Sequence, residues 1–202
     1  MNAAKIRLSP KELELVTHAD WILTKNAIVE KTITLMASLQ MRQEEFIRSY
    51  TGKLPVEITS STPKISRGEK YQGLPYVMLD YPRLFAQKDI FAIRTLFWWG
   101  NFFSVTLHLS GSFKKTSEQK IRGSYQTLAE RNIYYCTSDK QWEHDLSTGN
   151  YSRVADLDEK DFQKIAREKD FMKLVARIPL ERWDDAEELL LDAFRYLMDL
   201  VK

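Results

Sequence analysis

The sequence predicts a single α+β domain, an antiparallel sheet with long N-terminal helices and a C-terminal helix packed on it. Three observations carry that expectation. A capped run of helical periodicity fills residues 9–50, the segment "FAIRTLFWWGNFFSVTLHLSG" at 91–111 has the composition of a β-hairpin, and an apolar stripe at helical spacing closes the chain over 180–201. The sheet-rich body is expected between them, over 56–178, and residues 1–202 form one unit.

In "SPKE", Ser9 stands at an N-cap, Pro10 at the first helical position and Glu12 where a capping box needs its carboxylate. Apolar residues then recur at Leu15, Ile22, Val29 and Met36, with Ala19, Ile33, Leu39, Phe46, Ile47 and Tyr50 beside them. Forty helical residues would reach about 60 Å, more than the roughly 40 to 45 Å breadth of a compact chain this long. A break is therefore expected at "THAD", with Asp20 capping a second helix that starts at Trp21.

From "TGKLP" to "RGEK" the chain is polar and punctuated by Gly52, Pro55, Pro63 and Gly68, which reads as a connector with one short strand, "PVEIT". Residues 75–81 are strand-like, and Pro82 is expected to end them. In the hairpin, Gly100 and Asn101 suit a two-residue type II′ loop. That loop pairs Trp99 with Phe102, Arg94 with Leu107 and Ile93 with His108, and residues paired across strands share a face. One face then holds Ala92, Arg94, Leu96, Trp98, Phe103, Val105, Leu107 and Leu109. The other holds Phe91, Ile93, Thr95, Phe97, Trp99, Phe102, Ser104, Thr106, His108 and Ser110.

Residues 113–130 carry a sparse stripe of Ile121, Tyr125 and Leu128, a surface helix interrupted by Gly123. A short meander follows over 132–157, with turns at Asp139-Lys140 and Gly149-Asn150; a tight turn at the first would pair Cys136 with Glu143. A charged helix capped at Asp156 or Asp158 and a strand, "FMKLVARIP", lead to the last helix, whose stripe runs through Trp183, Ala186, Leu190, Phe194, Leu197 and Val201.

The 30 basic and 28 acidic residues leave a formal charge of +2, too small a field to hold a polyanion. The basic stretch at 113–122 beside aromatic strands is the feature a single-stranded nucleic acid could use, but an ordinary solvated charged face is the better reading of it. Nucleic acid is therefore not an expected partner. The single cysteine, Cys136, excludes an internal disulfide and fits a reducing cytoplasm as an inert buried thiol. No export signal and no membrane-spanning run stands in the sequence, and no glycine-rich phosphate loop or nucleophile-elbow motif, so no cofactor is expected. Histidines at 18, 108 and 144 lack metal-ligand spacing, and strand alternation would turn Glu143 and Asp145 away from His144.

Arg94 on an inward face needs an anion, and Asp80 at the end of the preceding strand is the internal candidate. His108, with Thr95, Ser104, Thr106 and Trp99 on its face, could line a polar pocket or an ordinary sheet face. Two functional classes follow. The first is a non-catalytic binding or assembly module working as a homodimer, with surplus apolar surface on the N-terminal helices as the contact. The second is a small-molecule site, enzymatic or not, built from Asp80, Arg94, Trp99 and His108, where Arg94 takes an anionic ligand. The first predicts an apolar contact between copies, the second a concave site at an arginine with unfilled hydrogen-bonding capacity.

Overall fold

The computed structural model describes residues 6–147 and 149–201. Helix α1, Pro10–Thr17, starts at the capping box: the Ser9 hydroxyl accepts the Glu12 N–H, and the Glu12 carboxylate accepts the Ser9 N–H at 2.7 Å. The chain breaks at His18, which is extended, and restarts as α2, Asp20–Arg48. The N-cap of α2 is Ala19, so Asp20 does not cap through its side chain. It lies in the first turn, where the helix dipole favours its charge. Trp21 instead ties the two helices, its indole N–H reaching the Leu15 carbonyl at 2.9 Å. The buried face of α2 runs from Val29 through Met36 and Leu39 to Ile47.

"PVEIT" is not a strand. Val56–Thr59 forms a single helical turn, α3, that buries Ile58, and packing of that side chain overrides the β preference of the segment. Strand β1, Lys64–Tyr71, lies in what reads as connector, because a polar edge strand has no apolar alternation to betray it. Strand β2, Leu74–Phe85, continues past Pro82. The ladder with β3 shifts between Asp80 and Arg83, and the proline sits in that irregularity, where no ladder bond is asked of it.

The hairpin of β3, Ile90–Trp98, and β4, Phe102–Ser110, is displaced by one residue from its expected register. Trp98 pairs with Phe102, Arg94 with Thr106 and Ala92 with His108. The loop therefore has three residues, with Gly100 at φ +69° and the Asn101 N–H returning to the Trp98 carbonyl at 3.1 Å. The shift sorts the side chains more cleanly than the two-residue loop does. Phe91, Ile93, Phe97, Phe103, Val105, Leu107 and Leu109 now share one face, all buried in the main core. The two-residue register would have put Thr106 and His108 among them, whereas the observed one leaves Thr95, which meets Gln43 of α2, as the polar residue of that face, and burial decides the pairing.

Helices α4, Gly111–Gly123, and α5, Tyr125–Glu130, replace the expected single helix and part at Ser124. The meander shrinks to two three-residue strands, β5, Tyr134–Cys136, and β6, Tyr151–Arg153; Cys136 pairs with Tyr151 rather than Glu143. Asp158 caps α6, Glu159–Glu168, and β7, Phe171–Pro179, pairs with β4. A 3-10 turn, Leu180–Asp185, leads into α7, Ala186–Asp199.

All pairings are antiparallel, in the order β1-β2-β3-β4-β7-β5-β6. The apolar face of this sheet meets α2, α4 and α7, as the α+β reading requires. The other face holds Leu96, Trp98, Phe102 and a set of charged groups, and the connection from β5 to β6 folds over it, with Leu146 in contact. Among the described residues no helix is long and apolar enough to cross a membrane.

Candidate functional site

Because the ladder pairs Asp80 with Arg94, and His108 with Lys173, four ionisable side chains from four neighbouring strands stand on the second sheet face. All four are buried or nearly so beneath the connection at 137–147. Asp80 holds Arg94 side-on, Nε to Oδ1 at 2.7 Å and Nη2 to Oδ2 at 2.9 Å. The remaining terminal nitrogen, Nη1, lies 2.8 Å from His144 Nε2. A guanidinium can only donate, so Nε2 accepts and His144 carries its proton on Nδ1. Burial, reinforced by the positive charges of Lys173 and Arg94, keeps that imidazole neutral far below its ordinary range.

His108 is in the same position. Its Nε2 lies 3.0 Å from the Gln141 amide nitrogen, and its ring packs edge-on against Trp142 and Phe171. Burial first, then Lys173 and Arg94, push it down to about 3. Lys173, only 1% exposed, donates to the Glu143 carbonyl and sits 5.4 Å from the Tyr151 ring centroid; burial lowers its ammonium to about 8. Tyr71 completes the seal. Its hydroxyl donates to the Glu143 carboxylate and accepts the N–H groups of His144 and Asp145 at 2.9 and 3.0 Å.

The covering loop and the sheet leave a recess of about 230 Å³, walled by Tyr71, Tyr76, Met78, Leu96 and Trp142, with Arg94 and His144 as its polar groups. Neither Lys173 nor Cys136 lines it, so neither nucleophile meets a ligand there. Cys136 is packed among Tyr151, Phe171 and Val175. Among the described residues no group of three or more histidine, cysteine or carboxylate side chains is placed to hold a metal.

Of the sequence-predicted residues, Asp80 and Arg94 meet as expected, and the register shift brings His108 onto their face instead of the opposite one. Trp99 is separated from all three. It belongs to the hairpin loop, packs against Phe97 of the helix-covered face and lines a second concavity of about 780 Å³ with Trp21, Ile22, Ile28, Leu74 and Pro75. Sequence reasoning missed His144, Lys173 and Tyr71. The signal for Lys173 was present, as a cation inside the apolar run of "FMKLVARIP"; His144 and Tyr71 reach the site through a loop and a polar edge strand that carry no periodicity.

The second concavity is an apolar groove beside the first turns of α2, with Lys25 and Glu69 paired at its rim. Next to it α1 has no buried residue. Leu13 and Val16 are 54% and 69% exposed, and Ile6, Leu8, Trp21 and Leu23 are exposed as well. Comparison with protein-family models, with curated proteins and with solved structures returns no match for this chain, so the geometry of these two sites is what bears on its function.

Proposed function

We propose that this chain is a non-catalytic assembly module that works as a homodimer, its N-terminal helical arm lying in the apolar groove of a second copy. The observation that carries this reading is α1 itself, an eight-residue helix with an exposed apolar surface that no described residue buries. Isolated helices shorter than about 12 to 15 residues are marginal in water, so a helix of this length calls for packing. The groove lined by Trp21, Ile22, Ile28 and Leu74 offers a surface of matching chemistry on the same chain. Exchange between two copies covers both surfaces at once, and a two-fold contact repeats the burial. The exposed apolar side chains of the arm amount to several hundred Å² per copy, within reach of the roughly 800 Å² each partner contributes to a stable complex once the groove is added.

An enzymatic reading draws less support from the other site, because Arg94 is held by Asp80 and the buried nucleophiles stand away from the recess. Sedimentation velocity across the micromolar range tests the assembly. The wild-type chain is expected to sediment as a dimer, and Leu13→Glu with Val16→Glu as a monomer of unchanged circular dichroism. A wild-type chain that remains monomeric throughout that range overturns the reading.

A further inference from the structure

We propose that the recess on the loop-covered sheet face binds a small aromatic carboxylate, its ring among Tyr71, Tyr76 and Trp142 and its carboxylate on the terminal edge of Arg94. This site is independent of the arm and its groove, and lies on the opposite face of the sheet.

The guanidinium is the first argument. Arginine has five N–H donors in a planar fork. Among the described residues Asp80 takes the Nε donor and one on Nη2, and His144 takes one on Nη1. One donor then remains on each terminal nitrogen for the oxygens of a carboxylate. Asp80 and His144 also hold the plane of the guanidinium, so little side-chain freedom is lost when a ligand arrives.

The charges about the recess come next. Asp80 offsets the charge of Arg94, yet both buried imidazoles facing this region experience Lys173 and Arg94 as the charges that oppose their protonation. The groups that face them are Lys173 from β7, Arg94 from β3, Asp80 from β2 and Glu143 from the loop, whose carboxylate is taken by the Tyr71 hydroxyl. These two cations and two carboxylates balance, so a monoanion at Arg94 is held by the directed donors of the guanidinium.

The third is shape. The walls are two tyrosines, a tryptophan, a methionine and a leucine, and a volume of about 230 Å³ admits a single-ring molecule and little more. Aromatic faces with one directed polar clamp are the make-up of small-molecule sites. Trp142 is 56% exposed, with its ring centroid 6.1 Å from that of Phe85 and 5.3 Å from that of His108.

Benzoate is the probe, titrated calorimetrically into the full chain at neutral pH, with benzamide as the neutral molecule of the same shape. Wild type is expected to bind benzoate saturably and at least about tenfold more tightly than benzamide, the factor one charge-assisted hydrogen bond supplies. Met78→Trp, which fills the recess from the sheet side, is expected to abolish binding. Trp142→Ala, at an exposed position, is expected to weaken it about tenfold while circular dichroism is unchanged. Asp80→Asn with Arg94→Gln keeps a neutral hydrogen-bonding pair and is expected to erase the preference for benzoate. Absence of saturable benzoate binding overturns the site. So does equal binding by wild type and a folded Met78→Trp. Benzamide binding as tightly as benzoate in wild type overturns the carboxylate assignment.

Discussion

Arg94 and Asp80 show what a charge inside a sheet requires of its neighbours. Each supplies the counter-charge and two directed hydrogen bonds that the other would otherwise lack. Asp80→Ala therefore leaves a guanidinium with His144 as its remaining protein acceptor, and urea unfolding should record a loss of about 3 to 5 kcal/mol. Replacing both, with Asp80→Leu and Arg94→Met, should come within about 1 to 2 kcal/mol of wild type, because no charge is then orphaned. Equal losses in the single and double variants would contradict the pairing. The histidines set a pH dependence. In the folded protein His108 titrates near 3 and His144 well below its ordinary value, whereas in the unfolded chain both titrate near 6.5. The unfolded state thus binds more protons as pH falls from about 6.5, so the histidine contribution to stability is complete above that value and is lost toward acid, on the order of 1 kcal/mol per pH unit for each imidazole. Unfolding midpoints between about pH 5 and 6.5, above the range of ordinary carboxylates, should show this slope, and His108→Gln with His144→Gln should flatten it. The Asp80–Arg94 pair was legible in the sequence because both partners lie in strands with readable alternation. His144 and Lys173 were not, since the first sits in an aperiodic loop and the second needs the β4-β7 register to acquire its neighbours.

Among the elements, the hairpin carries the clearest lesson. Glycine followed by asparagine is compatible with a two-residue loop and with a three-residue one, and local turn chemistry does not separate them. Summed burial along eighteen strand residues does, because the three-residue loop aligns Phe91, Ile93, Phe97, Phe103, Val105, Leu107 and Leu109 on the helix-covered face and keeps Thr106 and His108 off it. Two glycines with left-handed backbones then differ in what surrounds them. At Gly100, φ +69°, a Cβ would meet nothing within 4 Å, so Gly100→Ala should cost only the backbone strain of about 1 to 2 kcal/mol. At Gly111, φ +59°, a Cβ would lie 2.3 Å from Asp89 Oδ1 and 2.4 Å from the Lys88 carbonyl oxygen. That carboxylate accepts the Ser112 N–H and hydroxyl at the start of α4, so it cannot yield freely. Gly111→Ala should lose about 2 to 5 kcal/mol, strain plus overpacking. Thermal melts of the two variants side by side would expose an error if Gly100→Ala proved the worse.

For the whole molecule, the arm and the body behave as separate contributors. Among the described residues none of α1 is buried, and the Leu15 carbonyl meets the Trp21 indole at an exposed position, so deleting residues 1–17 should leave the unfolding midpoint of the dilute protein nearly unchanged. If the arm joins two copies, the wild-type melting temperature rises with protein concentration and that of the truncated chain does not. Differential scanning fluorimetry over a wide dilution series reads both. A truncated chain that keeps the concentration dependence places the contact elsewhere on the body.

By itself the sequence determined the class of the fold, the capping box that starts α1, the break near His18, and the core stripes of α2 and α7. Each rests on periodicity or on chemistry between neighbours in the chain, which act before any distant segment arrives. Only the tertiary structure decided the hairpin register, the helical turn at Val56–Thr59, the edge strand β1, and the gathering of His108, His144, Lys173 and Tyr71 beside Arg94. Those features are set by which face of the sheet is buried and by what a loop from elsewhere covers, and burial is a property of the assembled chain.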